Sequence, residues 1–199
     1  MIFLYANKIR LVGLLKTKVK EKNVDTVAGK VFLGCHWLHN FSLNTKGRIW
    51  LAWRPSNYHN ILIRMSNQLI HYKVTELNTN KYFYLRVIYG MNYELQREEP
   101  WSDLMDISQS MDAAWCLMGD FNTILSEEDR KGGNEVQDHE LRELASLLQN
   151  GELHELSSTG AYYSWTNKTI WSRIDHVFLN DYEYDFFIIH THITCPIVS

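Results

Sequence analysis

Along "GRIWLAWR" the side chains Ile49, Leu51 and Trp53 alternate with Arg48, Trp50 and Ala52, and "NILIRMS" and "QLIHYKV" follow after short polar breaks. Spacing with a period of two predicts a meander of half-buried strands. "YFYLRVIYG" and "WCLMGD" are apolar almost without interruption, which predicts central strands covered on both faces. Between them "PWSDLMDISQSM" sets Trp101, Leu104, Met105, Ile107 and Met111 at helical spacing behind Pro100, a residue suited to a first helical turn. A second helix is predicted over "DHELRELASLLQNG", where Leu141, Leu144, Leu147 and Leu148 form one stripe and Gly151 ends it. "AYYSWTN", "RIDHVFLN" and "FFIIHTHI" add further strands. Many strands with two helices predict a layered α/β protein built on a mixed sheet.

Composition narrows the picture. A chain of 199 residues, 45% hydrophobic and 22% charged, can bury one sizeable core. It has no repeat and no Pro/Gly-rich linker, so a single domain over residues 1–199 is expected. A net charge of -3 gives no global attraction to nucleic acid; a polyanionic partner needs a local basic patch or bridging cations. Cys35, Cys116 and Cys195 are odd in number and lack CxxC spacing, which argues against a disulfide framework or structural zinc and for a reducing, intracellular compartment. The apolar start of "MIFLYANKIR" is too short for a membrane span and has no small-residue cleavage site, so neither membrane insertion nor secretion is expected. Without secretion the sequons at Asn40 and Asn167 carry no weight.

The candidate chemistry lies at strand ends. In "WCLMGDFNTIL" the carboxylate of Asp120 and the amide of Asn122 follow a buried strand, on the rim where α/β sheets carry their sites. A carboxylate can hold a cation or accept a proton, and an amide can orient a phosphate oxygen without adding charge. Alternatively, GDFN is a tight turn in which Asp120 bonds the backbone two residues on. "VIYGMN" offers Tyr89 and Asn92, and "WSRIDHVF" offers Arg173, Asp175 and His176. Arg173 and Asp175 suit a cross-strand ion pair, while His176 faces away from Asp175 and reads as a packing histidine. The His190/His192 pair, His36 and His39 have no partners that complete a metal shell. The lysines of "KTKVKEK" read as a solvated edge, and Trp50, Trp53, Tyr162 and Trp165 as core.

Taken in order, "GLLKTKVK", "VIYGMN", "GDFNTIL", "YYSWTN", "SRIDHVFLN" and "CPIV" resemble the endonuclease/exonuclease/phosphatase superfamily, whose members share a deoxyribonuclease I-like fold. With "GRIWLAWRP", "MGDFNTILSEEDRKGG" and "STGAYYSWTN", the chain is most similar to the endonuclease part of plant LINE-type non-LTR retrotransposons. Six motifs in order are far more specific than any one of them. The resemblance implies a four-layered α/β sandwich of two mixed sheets with helices outside, its first strand missing upstream of residue 1. It also implies Mg²⁺-dependent phosphodiester hydrolysis of nucleic acid, DNA in particular, in the nucleus. By position, Asp120, Asn122 and Asp175 match catalytic residues, and Tyr89, Asn92 and Asn122 match phosphate-binding ones.

Two departures from the family pattern follow. Lys16 stands where the family carries the Glu that is its main metal ligand, replacing attraction with repulsion of several kcal/mol for a divalent ion about 4 Å away. At the other end, "HITCPIVS" aligns by Cys195, Pro196 and Ile197, which puts Ile193 and Thr194 where an Asp-His pair belongs; His192 is two residues out of register. The connection from "RIDHVFLN" to "CPIV" is shortened as well. Two function classes remain: a retrotransposon-derived Mg²⁺-dependent endonuclease with weakened catalysis, and a non-catalytic relic that keeps the fold and at most binds nucleic acid or phosphate.

Overall fold

The computed structural model describes residues 8–43, 46–93, 97, 101, 104, 113–157 and 160–180. The chain divides into two compact units, Met1–Tyr89 and Gly90–Ser199.

In the first unit β1 (Leu11–Leu15), β2 (His36–His39) and β3 (Ile49–Trp53) form an antiparallel sheet in the order β1-β3-β2. Helix α1 (Val24–Val31) places Val24, Val27, Ala28 and Val31 on one stripe and buries it with Phe32 and Phe41 against Trp50 and Ala52 of β3. Gly47, at φ 50°, leaves room for Phe41, since a Cβ there would lie 2.1 Å from the Phe41 ring. A meander of β4 (Tyr58–Met65), β5 (Leu69–Glu76) and β6 (Tyr82–Tyr89) follows, each strand antiparallel to the next. Trp53 meets Tyr72 of β5 at 5.6 Å between ring centroids, so β3 is covered from its second side too. This differs from the half-buried strand that alternation predicts: Ile49, Trp50, Leu51 and Ala52 are all buried. Strand β4 departs the other way. Ile61, Leu62 and Ile63 are 50%, 42% and 48% exposed on a strand that ends its sheet and carries an irregularity between Leu62 and Arg64. The sequon residue Asn40 is fully buried, donating to the carbonyls of Ser66 and Asn67 and accepting from the Ile49 N–H.

In the second unit β7 (Trp115–Asp120), β12 (Asp175–Asn180) and β9 (Leu153–Glu155) lie in the order β7-β12-β9, all antiparallel. A small sheet joins β8 (Arg130–Lys131), β10 (Trp165–Thr166) and β11 (Trp171–Ser172) in the order β10-β11-β8. Helix α2 (Asp138–Asn150) starts at a capping box of Gln137 and Glu140 and buries Leu144 and Leu147, with Leu141 and Leu148 half-buried. Gly151 closes it in an ordinary right-handed conformation, φ -92°, rather than the left-handed one a terminal glycine often adopts. The Asn180 side chain accepts from the Trp115 N–H and donates to the Ala113 carbonyl, pinning the start of β7 beside the end of β12. Strand β7 is buried along nearly its whole length, as its apolar run predicts. Of the helix predicted around Pro100, only Trp101 and Leu104 are described; both are helical, and Leu104 is fully buried. "FFIIHTHI" and Cys195 lie outside the described residues, while Cys35 and Cys116 are free thiols.

Candidate active site

Asp120 ends β7 directly opposite Asp175, which opens β12. Opposed residues of an antiparallel pair share a face of the sheet, so two carboxylates sit side by side at this strand end. Asp120 is fully buried and Asp175 half-buried. Beyond Asp120 the chain turns sharply. Asn122 adopts φ 50°, its N–H donates to Asp120 Oδ1 at 3.1 Å, and its amide nitrogen donates to the Gly90 carbonyl. The tight turn read as the plain alternative for GDFN is therefore present, built around the carboxylate that the functional reading singles out. Gly90 admits no side chain, because a Cβ would stand 2.4 Å from the Phe121 carbonyl; its N–H donates to the Asp120 carbonyl at 2.7 Å. The loop carrying Asn92 is tied to α2. Arg97 donates to the Met91 and Asn92 carbonyls at 2.8 and 3.2 Å and pairs with Glu143 at 2.9 Å, while Thr123 donates to the Glu140 carbonyl. Asn92 itself is exposed.

The start of β12 is held from behind. Ser164 Oγ accepts the N–H groups of Ile174 and Asp175 at 3.0 and 3.1 Å. Arg173 pairs with Glu155 and, at 3.5 Å, with Asp129, and lies over the Tyr162 ring at 5.1 Å. Asp129 also accepts from the Tyr162 hydroxyl and the N–H groups of Leu125 and Ser126. Glu155 Oε1 takes a second partner, His176 Nδ1, at 2.7 Å. His176 is buried, stacked on Phe178 and edge-on to Phe121, so it packs as its position opposite to Asp175 predicts. Tyr162 and Trp165, expected in the core, are exposed, while Trp50 is buried.

In the first unit Tyr89 ends β6, buried, with two cations on it. Arg48 donates to the Tyr89 hydroxyl at 3.1 Å, its guanidinium carbon 4.9 Å from the ring centroid, and Lys16 Nζ stands 6.0 Å from the same centroid. Lys16 and Lys18 adopt φ 52° and 54°, left-handed conformations worth roughly 1–2 kcal/mol of strain each for a residue with a Cβ.

A model of the Endonuclease/Exonuclease/phosphatase family matches residues 14–188, most of the chain and all of these strand ends. The chain belongs to that family. Solved relatives agree at the level of the fold. The endonuclease domain of TRAS1, a telomere-specific non-LTR retrotransposon, superposes with TM-score 0.68 at 14% identity, over 90% of this chain and 76% of that one. The AP endonuclease LMAP from Leishmania major gives 0.68 at 13%, over 90% and 72%. D. rerio TDP2 complexed with single strand DNA product gives 0.58 at 16%, over 91% and 74%. No curated protein matches the chain. The fold expected from the motifs, a deoxyribonuclease I-like α/β sandwich of mixed sheets and helices, is the fold of these family members and of this chain.

Within the family frame, Asp120, Asn122 and Asp175 come together in the second unit, and Lys16 stands beside Tyr89 in the first. His192, Ile193 and Thr194 lie outside the described residues. Sequence reasoning passed over Arg48, whose charge ahead of the apolar run "IWLAW" was the available signal. It also read Arg173 as the partner of Asp175 and did not foresee its pairs with Glu155 and Asp129, or Tyr162 on Asp129, a set that only strand pairing assembles.

Proposed function

We propose that the chain, both units acting as one domain, is a phosphodiesterase-type domain of retrotransposon-endonuclease descent that acts on nucleic acid, DNA in particular, in the nucleus. The observation that carries the reading is the Asp120–Asp175 opposition at the ends of β7 and β12, with Asn122 turned onto Asp120. In such a site a buried carboxylate accepts a proton from attacking water, and asparagine and tyrosine side chains hold phosphate oxygens. The TRAS1 endonuclease domain and the DNA-bound TDP2 share the fold, which supports nucleic acid as the substrate class.

The family's divalent cation, where bound, polarises the phosphate and stabilises the leaving oxygen. The donor set around Tyr89 does not fit it. The ammonium of Lys16, the residue that the motif resemblance aligns with the family's glutamate, stands over the Tyr89 ring, and the other charged group on the phenol is a guanidinium. Among the described residues no three His, Cys, Asp or Glu side chains are grouped to hold a metal. Lys16 thus favours a second reading, a domain that binds nucleic acid without cleaving it. Nicking of supercoiled plasmid by the purified chain decides between them. Slow nicking in Mg²⁺ that vanishes in Asp120→Ala supports the enzyme; no nicking by a folded, DNA-binding chain selects the second reading.

A further inference from the structure

Just past the last ladder pair of β1 and β3, Leu15 with Ile49, the Lys16 N–H donates to the Arg48 carbonyl at 2.9 Å. Two cationic residues therefore leave adjacent strand ends together, and both approach Tyr89. Like charges at facing strand positions repel, and apolar packing gains nothing from setting them there. Both side chains are half-buried, which weakens screening of their charge by salt. The Tyr89 oxygen accepts from Arg48, which makes the phenol a stronger donor through its own proton. A guanidinium fork, an ammonium point charge and a polarised phenol are a donor set for a phosphate group and a poor one for a metal ion.

We propose that Lys16, Arg48 and Tyr89 form a phosphate site that takes a backbone phosphate of nucleic acid directly, with no bridging divalent cation. It rests on the reading of the chain as a nucleic-acid-acting domain and assigns that domain a cation-independent contact.

The test is binding of a short fluorescein-labelled DNA duplex to the full chain, in EDTA and in Mg²⁺, over a range of salt concentrations. Binding in EDTA that Mg²⁺ leaves unchanged is expected. Lys16→Gln and Arg48→Gln should each weaken it about tenfold and lower the slope of log affinity against log salt by about one. Inorganic phosphate in EDTA should raise the melting temperature of the wild type and have a smaller effect on Lys16→Glu. Equal affinity and salt slope in wild type and both Gln variants would overturn the phosphate site while leaving nucleic-acid binding intact. Binding that appears only with Mg²⁺ would overturn its cation independence. Absence of DNA binding under every condition would overturn the parent reading, and the site with it.

Discussion

Asn122 combines a left-handed backbone with two hydrogen bonds, so its replacements separate conformation from chemistry. Asn122→Ala loses the amide bond to Gly90 and puts a Cβ residue that tolerates φ 50° less well into the turn. A loss of about 1–3 kcal/mol in urea unfolding is expected. Asn122→Gly keeps the conformation and loses the bond, and should cost less. Equal losses would show that the left-handed backbone contributes nothing. His71 gives a pH prediction. Burial first, then the charges of Arg86 and Arg64, lower its pKa to about 3, against about 6.5 in an unfolded chain. Between those values the unfolded chain binds the extra proton, so this group's contribution is complete above about pH 6.5 and is lost as pH falls toward 3. Stability should drop by up to about 1.4 kcal/mol per pH unit in that window, and His71→Gln should flatten the slope. At this scale GDFN was legible because its carboxylate, turn and amide are contiguous. Arg48 was not, because its partner Tyr89 is far along the chain.

Strand ends carry the candidate site, and the elements behind them set its rigidity. Glu155 of β9 holds both Arg173 and His176 on one oxygen. Removing it in Glu155→Ala strands a largely buried guanidinium, and a loss of about 2–3 kcal/mol is expected, discounted from the buried-pair value because Glu155 is part-exposed. A loss below half of that would mean Asp129 alone suffices for Arg173. The edge strand β4 predicts a different failure. Its exposed Ile61, Leu62 and Ile63 form a template for edge-to-edge pairing, so Ile63→Lys should slow aggregation on concentration with little change in unfolding midpoint. Helix α2 and strands β6 and β7 were readable because their apolar patterns are long. Helix α1 was missed although Val24, Val27, Ala28 and Val31 are correctly spaced, since Gly29 and β-branched residues dilute its helical signal. The burial of β3 was underestimated because alternation reports one covered face, whereas α1 packs on the Trp50 and Ala52 face and Tyr72 of β5 meets Trp53 on the other.

At the scale of the molecule, motif order carried more information than any motif. It led to the family and its fold, while local physics alone stopped at a layered α/β protein. It also singled out Lys16, on which the proposed function turns, and the structure sets the Lys16 ammonium 6.0 Å from the centre of the Tyr89 ring. The reversion Lys16→Glu is then informative twice. It exchanges a like-charged neighbour of Arg48 for an opposite one, so stability should rise by about 0.2–1 kcal/mol. On the proposed reading, a carboxylate at this position should also add several kcal/mol of transition-state stabilisation, each 1.36 kcal/mol being roughly tenfold in rate. The most direct measurement is the single-turnover cleavage rate of plasmid DNA in Mg²⁺ for the wild type, Lys16→Glu, and Lys16→Glu with Asp120→Ala. The account predicts a gain of about a hundredfold or more for Lys16→Glu, abolished in the double variant. A folded, DNA-binding Lys16→Glu chain that cleaves no faster than the wild type, or a double variant as fast as the single one, would contradict it.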